Sequence, residues 1–368
     1  MSYHAGGKRK CTSSNGQPPC VCENKESHNC DGECKKRVKI ILRVSKRRKI
    51  SIEKAPDVKN IKDLITIAQK EDVLYDNINS HMLKSITPQL IELDKLIGMT
   101  ELKESMFDQI LYYLQDMHKV GKNDFLHTCI MGDPGCGKTT VAKIIAEIYK
   151  NAGILSSQGV FKIAGRADLV GKYLGQTAPK TKALLESCIG GVLFIDEVYS
   201  LGSGDTKSTT DSYSEECINT INQFLSEHKD DFCLIVAGYR DKIINQFFAV
   251  NEGLVRRFPW MHTIKPYEPS ELSEIAMKML NDIQWKTKAT NEELSKIIKE
   301  EKDMFEHSGG SVENWIAKVK LAHSRRVFSL DYKDKYILSL EDFKNGLKIM
   351  KKQRVKNKED EPPIGMYM

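Results

Sequence analysis

Residues 132–139 read Gly132-Asp133-Pro134-Gly135-Cys136-Gly137-Lys138-Thr139, with Thr140 next in line. This is a complete phosphate-loop pattern: glycine, four residues, then Gly-Lys-Thr. Its surroundings also fit, because an apolar stretch at 127–131 precedes it and a helical pattern at 138–151 follows. Glycines let backbone N–H groups turn inward around phosphate oxygens, and the start of the next helix adds the positive end of its dipole. Lys138 has the reach for β- and γ-phosphates, and the Thr139 hydroxyl can ligate Mg²⁺. A chance glycine-rich turn would not be expected to have both flanking elements in place.

Downstream, short apolar segments at 127–131, 160–164, 191–195, 232–237 and, more weakly, 261–264 read as strands. Helical patterns at 138–151, 177–188, 214–226 and 241–249 separate them. Strands alternating with helices of this length predict an α/β P-loop fold, a parallel sheet with helices on both faces. The segment Val192-Leu193-Phe194-Ile195 runs into Asp196-Glu197. Parallel sheets gather ligands at the carboxyl ends of their strands. Asp196 is therefore expected to hold Mg²⁺ together with Thr139, and Glu197 to act as general base on an attacking water. An apolar strand ending in two acids is a common pattern, but about 60 residues after a complete phosphate loop it points to nucleotide hydrolysis.

The 368 residues carry 40% hydrophobic and 29% charged side chains, enough to bury a core. No apolar run reaches the roughly 18 residues a membrane span needs, and no signal peptide opens the chain, so a cytoplasmic or nuclear protein is expected. The net charge of +6 is uneven. Residues 1–54 hold 14 Lys/Arg against 5 Asp/Glu, while the rest is slightly acidic. This basic, cysteine-rich segment cannot bury enough surface to fold unaided. Lys8-Arg9-Lys10 and Lys46-Arg47-Arg48-Lys49 make nucleic acid or an import receptor a candidate contact. Cys20, Cys22, His28, Cys30 and Cys34, with Cys11 upstream, are enough soft ligands for one Zn²⁺, though their spacing fits no standard finger. Reduced thiols in a disordered tail are the other reading, and both stay open. Residues 55–86 read as a helical linker region, 87–267 as the nucleotide-binding α/β domain, 268–352 as a helical lid and 353–368 as a disordered tail.

From about residue 87 to 351 the chain resembles the AAA+ ATPases, and within them the branch of the red-type Rubisco activase CbbX and sporulation protein K. The likeness rests on Leu93-Asp-Lys-Leu-Ile-Gly98, on the distinctive segment 167–181 (ADLVGKYLGQTAPKT), on VLFIDEVYSL at 192–201, on IVAGY at 235–239 and on Gly253-Leu-Val-Arg-Arg-Phe258. The resemblance implies ATP and Mg²⁺ as ligands, a homo-oligomeric ring, usually of six, and a protein client. It gives Lys138, Glu197 and Arg257 catalytic roles, Arg257 as a finger acting on a neighbour's ATP. Tyr173 becomes the pore-loop aromatic and Tyr239 the sensor. One departure stands out: the lid position where the branch carries a sensor arginine holds Gly310, and Glu313 stands where a second often follows. That substitution is expected to weaken coupling between nucleotide and lid, unless Arg325 or Arg326 compensates.

Overall fold

The computed structural model describes residues 51–119, 125–156, 160–202, 212–229, 231–329 and 335–359, with side chains to 354. The zinc candidates Cys20, Cys22, His28, Cys30 and Cys34 and both basic blocks lie outside the described residues. In chain order the elements are β1 Ser51–Glu53, α1 Ile61–Ala68, β2 Val73–Tyr75, α2 Ser80–Asp94, α3 Thr100–Leu114, β3 Thr128–Gly132, α4 Lys138–Asn151, β4 Phe161–Ala164, α5 Arg166–Leu169, α6 Thr177–Glu186 and β5 Val192–Ile195. There follow α7 Ser212–Glu227, β6 Cys233–Gly238, α8 Arg240–Lys242, β7 Trp260–Ile264, α9 Pro269–Asp282, β8 Lys286–Thr287, α10 Asn291–Glu300, α11 Ser308–Val327, β9 Ile337–Leu338 and α12 Leu340–Glu359.

β3 to β7 form a five-stranded parallel sheet in the order β4-β5-β6-β3-β7. Its three central strands are buried along their whole length, which is why they read as continuous apolar runs. Alternate residues serve opposite faces. Ile130, Phe194 and Ile235 pack into the core beneath α1 to α4, whereas Cys129, Leu193, Ile195 and Leu234 pack into the one built by α6 and α7. The five cysteines in the described residues are all buried and reduced.

The expected linker at 55–86 is instead part of this core. Leu83, Ile86, Leu90 and Leu93 recur along one face of α2 and pack with Val141 and Ile145 of α4. The Ser85 hydroxyl also donates to the carbonyl of Asn151 at 2.7 Å. The anticipated boundary at 86/87 therefore falls inside α2. The helix expected at 241–249 is broken as well. After α8 the backbone widens into a π-turn at Ile243–Phe247 and tightens into a 3-10 turn at Phe248–Val250. A regular helix cannot easily turn adjacent residues into one core, and here Phe247 and Phe248 are both buried against Phe258.

α9 to α12 make a separate layer around Trp315, Phe343, Leu294 and Ile298, with β8 and β9 pairing in parallel at its side. α12 runs to Glu359 and not 352. Its continuation is rich in strong helix formers, and Arg354 donates to Glu306 Oε1 at 3.0 Å. The lid also buries Asp342. Its carboxylate accepts from Arg326 Nε (2.8 Å) and Nη2 (2.9 Å) and from the Ser339 N–H (2.8 Å), and pairs with His323 Nδ1 (3.0 Å). Burial alone would raise this carboxyl, but Arg326, Ser339 and His323 outweigh it and hold it well below the usual carboxylate range. Asp342→Ala removes the buried carboxylate on which the partly exposed Arg326 guanidinium, His323 and the Ser339 N–H converge, and is expected to cost about 2 kcal/mol in chemical denaturation near pH 7. Because the folded pKa is depressed, this contribution is present above the unfolded value near pH 4 and fades as pH falls below it. A variant as stable as wild type at pH 7 would show the network to be idle.

Candidate functional site

A cleft of about 560 Å³ opens between the sheet and the lid. The core lines it with Pro134, Gly135, Gly137, Lys138, Thr139, Thr140, Asp196, Glu197 and Tyr239, and with Leu96, Ile97 and Met99 from the segment after α2. Gly132, Asp133 and Cys136 support the loop without lining the cleft. Cys136 is buried, and burial raises its thiol, so it serves as packing.

The loop's shape follows from its glycines. Gly135 and Gly137 take φ of 71° and 92°, where a side chain is strained. At Gly135 there is no space either, since a Cβ would lie 2.5 Å from His307 O and 2.7 Å from Gly310 N. α4 starts at Lys138 immediately after this turn, so the first N–H groups of a 14-residue helix face the cleft. Lys138 Nζ lies over the loop, donating to the carbonyls of Gly132 (3.0 Å) and Asp133 (2.8 Å). Thr139 and Asp196 bring a hydroxyl and a carboxylate into the same cleft, an oxygen donor set that suits Mg²⁺.

At the end of β5, Glu197 adopts φ 49° and ψ 44°, a left-handed conformation rare outside glycine. Holding a non-glycine residue there costs on the order of 1 kcal/mol. Fully buried Val198 and Leu201 anchor the turn that follows, and the Glu197 N–H donates to Asp196 Oδ1 at 2.9 Å. The bend aims two successive side chains at the cleft, which an extended strand would place on opposite sides.

Three cleft neighbours escaped the sequence reading. Tyr199 stands 5.7 Å from Tyr239, ring to ring, and its hydroxyl is pushed up to about 12 by burial and by the adjacent Glu197 carboxylate. Lys242 Nζ sits 4.9 Å from the Tyr199 ring centroid and 5.2 Å from that of Tyr239. Tyr267, at the hinge before α9, donates its hydroxyl to the carbonyl of Cys136 at 3.0 Å, and burial raises its pKa. Tyr199 lies inside the quoted motif at 192–201. Nothing local marks Tyr267 or Lys242.

The lid contributes Ile275, Met279, Gly309, Gly310 and Glu313 to the cleft. The two positions expected to lack a sensor arginine do face it. Arg325 and Arg326 do not line the cleft. They lie about 22 Å further along α11, and Arg326 is committed to Asp342. The lid instead meets the loop through its backbone, with the Gly309 N–H donating to Gly135 O at 3.1 Å.

Arg257 and Tyr173 lie outside the cleft. Arg257 ends a 3-10 turn, with its guanidinium on Ser226 and on the carbonyl of Gly253. Tyr173 and Leu174 project from the loop between α5 and α6, with 70% and 79% of their surface exposed. The base of that loop is fixed. The Gly171 N–H donates to Thr177 Oγ1 (3.1 Å), Thr181 Oγ1 to Leu169 O (3.0 Å), and Lys180 Nζ to the carbonyls of Ala167 (2.6 Å) and Val170 (2.9 Å).

Comparison with known proteins agrees with this geometry. Residues 128–258 match the family described as ATPase family associated with various cellular activities (AAA). The putative cfxQ-like protein R730 of Acanthamoeba polyphaga mimivirus is 39% identical over 69% of this chain and 61% of its own length. This chain thus spans about three fifths of that relative. The chloroplastic ribulose bisphosphate carboxylase/oxygenase activase of Cyanidioschyzon merolae is 34% identical, over 65% of this chain and 83% of its own. Among solved structures, the FIGL-1 AAA domain matches with a TM-score of 0.51 at 18% identity, over 73% of this chain and 89% of that one, a likeness of fold. Among the described residues no helix is long and apolar enough to cross a membrane. With its phosphate loop, its strand-end acids and these relatives, the chain belongs to the AAA+ ATPases, in the CfxQ-like branch that includes the activase.

Proposed function

We propose that this chain binds ATP with Mg²⁺ in the cleft between the sheet and the lid, hydrolyses it, and uses the cycle to pull on a protein client. The observation that carries this reading is the convergence of Lys138, Thr139, Asp196 and Glu197 on one cleft. Lys138 neutralises the outer phosphates, and the α4 N–H groups cradle them. Thr139 and Asp196 would hold Mg²⁺, which screens phosphate charge and fixes its geometry. Glu197 takes a proton from the attacking water. Tyr239 reports from the phosphate side of the cleft. Apolar Leu96, Ile97, Ile275 and Met279 offer the base a surface between core and lid.

Arg257 acts on the ATP of a neighbouring subunit, because it lies outside its own chain's cleft. A homo-oligomeric ring, six-membered by resemblance, brings the two together. In such a ring, Tyr173 and Leu174 on their fixed base grip a polypeptide at the centre. An unfolded polypeptide is expected to raise ATP turnover of the assembled protein. Tyr173→Ala should abolish that rise, with the ATP dissociation constant within about twofold of wild type. Stimulation by nucleic acid that weakens as salt rises, with none by polypeptide, would replace the protein client with a nucleic-acid one.

A further inference from the structure

α7 presents Asn219, Asn222 and Ser226 at spacings of three and four, so all three share one face. That face meets the loop carrying Arg257. Asn251 Nδ2 donates to Asn219 Oδ1 at 3.1 Å, and Asn251 Oδ1 accepts from the Gly253 N–H at 2.9 Å. Buried Leu254 and Phe258 fix the loop on either side of the arginine. Arg257 Nε and Nη2 both donate to Ser226 Oγ, at 3.0 and 2.5 Å, and Nη1 donates to Gly253 O at 2.6 Å. The Ser226 hydroxyl spends its own proton on Asn222 O at 3.1 Å, so its lone pairs are free to receive the guanidinium. Gly253 allows the close approach, since a Cβ there would lie 3.0 Å from Nη1.

A guanidinium has five N–H donors. Three are accounted for by Ser226 and Gly253. One donor is left on each terminal nitrogen, and among the described residues neither has an acceptor. Free donors on both terminal nitrogens suit a bidentate grip on a phosphate. We propose that Ser226 is the positioning residue of the arginine finger: it holds the Nε–Nη2 edge so that the fork is oriented before a neighbour's γ-phosphate arrives. This rests on the reading that Arg257 acts between subunits. An arginine left to itself loses side-chain freedom on being fixed, and a clamp within the subunit removes that cost from the hydrolytic step. A displacement of about 1 Å in such a group can lower a rate about a hundredfold.

The test uses mixed assemblies of two full-length chains. Glu197→Gln binds ATP and keeps Arg257 but lacks the base; Arg257→Ala keeps the base but lacks the finger. Mixing should restore turnover at those interfaces where the first chain's Arg257 meets the second chain's ATP. With Ser226→Ala added to the Glu197→Gln chain, restored turnover should fall about tenfold. Ser226→Thr, which keeps the hydroxyl, should bring most of it back. Added to the Arg257→Ala chain, Ser226→Ala has no finger to position, and restored turnover should match that of the pair retaining Ser226. An equal fall in both placements would make Ser226 a folding residue and overturn the proposal, as would no fall in either. If mixing restores nothing even with Ser226 present, Arg257 does not act between subunits, and both inferences fall.

Discussion

Replacing Arg257 by alanine is expected to lower ATP turnover about 10³-fold or more, while the ATP affinity of the substituted chain stays close to wild type. The separation of the two effects follows from position. Arg257 does not line the cleft of its own chain, so its loss removes nothing from that chain's ground-state binding. What disappears is a cation placed against the charge that develops on a neighbour's γ-phosphate. A loss of 10³ corresponds to about 4 kcal/mol of transition-state stabilisation, within what a desolvated charge-assisted fork can supply. Phosphate release and an equilibrium ATP titration on the same preparation check both halves. Weakened binding with turnover retained at saturation would place Arg257 in its own chain's site and contradict the account.

Glu197→Gln is expected to reduce turnover about 10²- to 10⁴-fold and to leave ATP bound. Glutamine keeps the size of the side chain and can occupy the same left-handed bend, while the backbone N–H that donates to Asp196 Oδ1 is untouched. It cannot accept the proton of the attacking water. The substituted protein should therefore hold ATP through many wild-type cycles, and a single-turnover experiment should show a slow chemical step and not slow product release. If turnover falls only about twofold, the base lies elsewhere. Tyr199, whose hydroxyl is pushed up to about 12, remains neutral and takes no part as a base near neutral pH.

Much of this site is legible in the sequence alone. The phosphate loop and the acid pair each carry their chemistry in consecutive residues, and strand-helix alternation fixes where such residues meet. The expected strands at 232–237 and 191–195 agree with β6 and β5 to within a residue, because a strand buried on both faces leaves a continuous apolar run. The exceptions have physical causes. The first half of α2, up to residue 86, falls in the stretch expected as linker, since its apolar face, spaced at three and four, says nothing about what it packs on. The π-turn at Ile243–Phe247 answers a demand of the aromatic core that local periodicity does not encode. Glu197's bend is imposed by its surroundings against the preference of the residue itself. Ser226, Tyr267 and the Gly309–Gly135 contact join positions 31, 131 and 174 residues apart or arise from backbone alone, where spacing gives no signal.

The central claim is that a triphosphate is gripped by the loop at 132–139 and cleaved beside Glu197. Its most direct test is phosphate release from Mg²⁺-ATP by the purified full-length protein, run beside Lys138→Ala under identical conditions. Steady turnover by the wild-type chain, lost on adding a Mg²⁺ chelator and lowered about a hundredfold or more in Lys138→Ala, is the expected result. Equal rates from the two chains, or none from either, would contradict it.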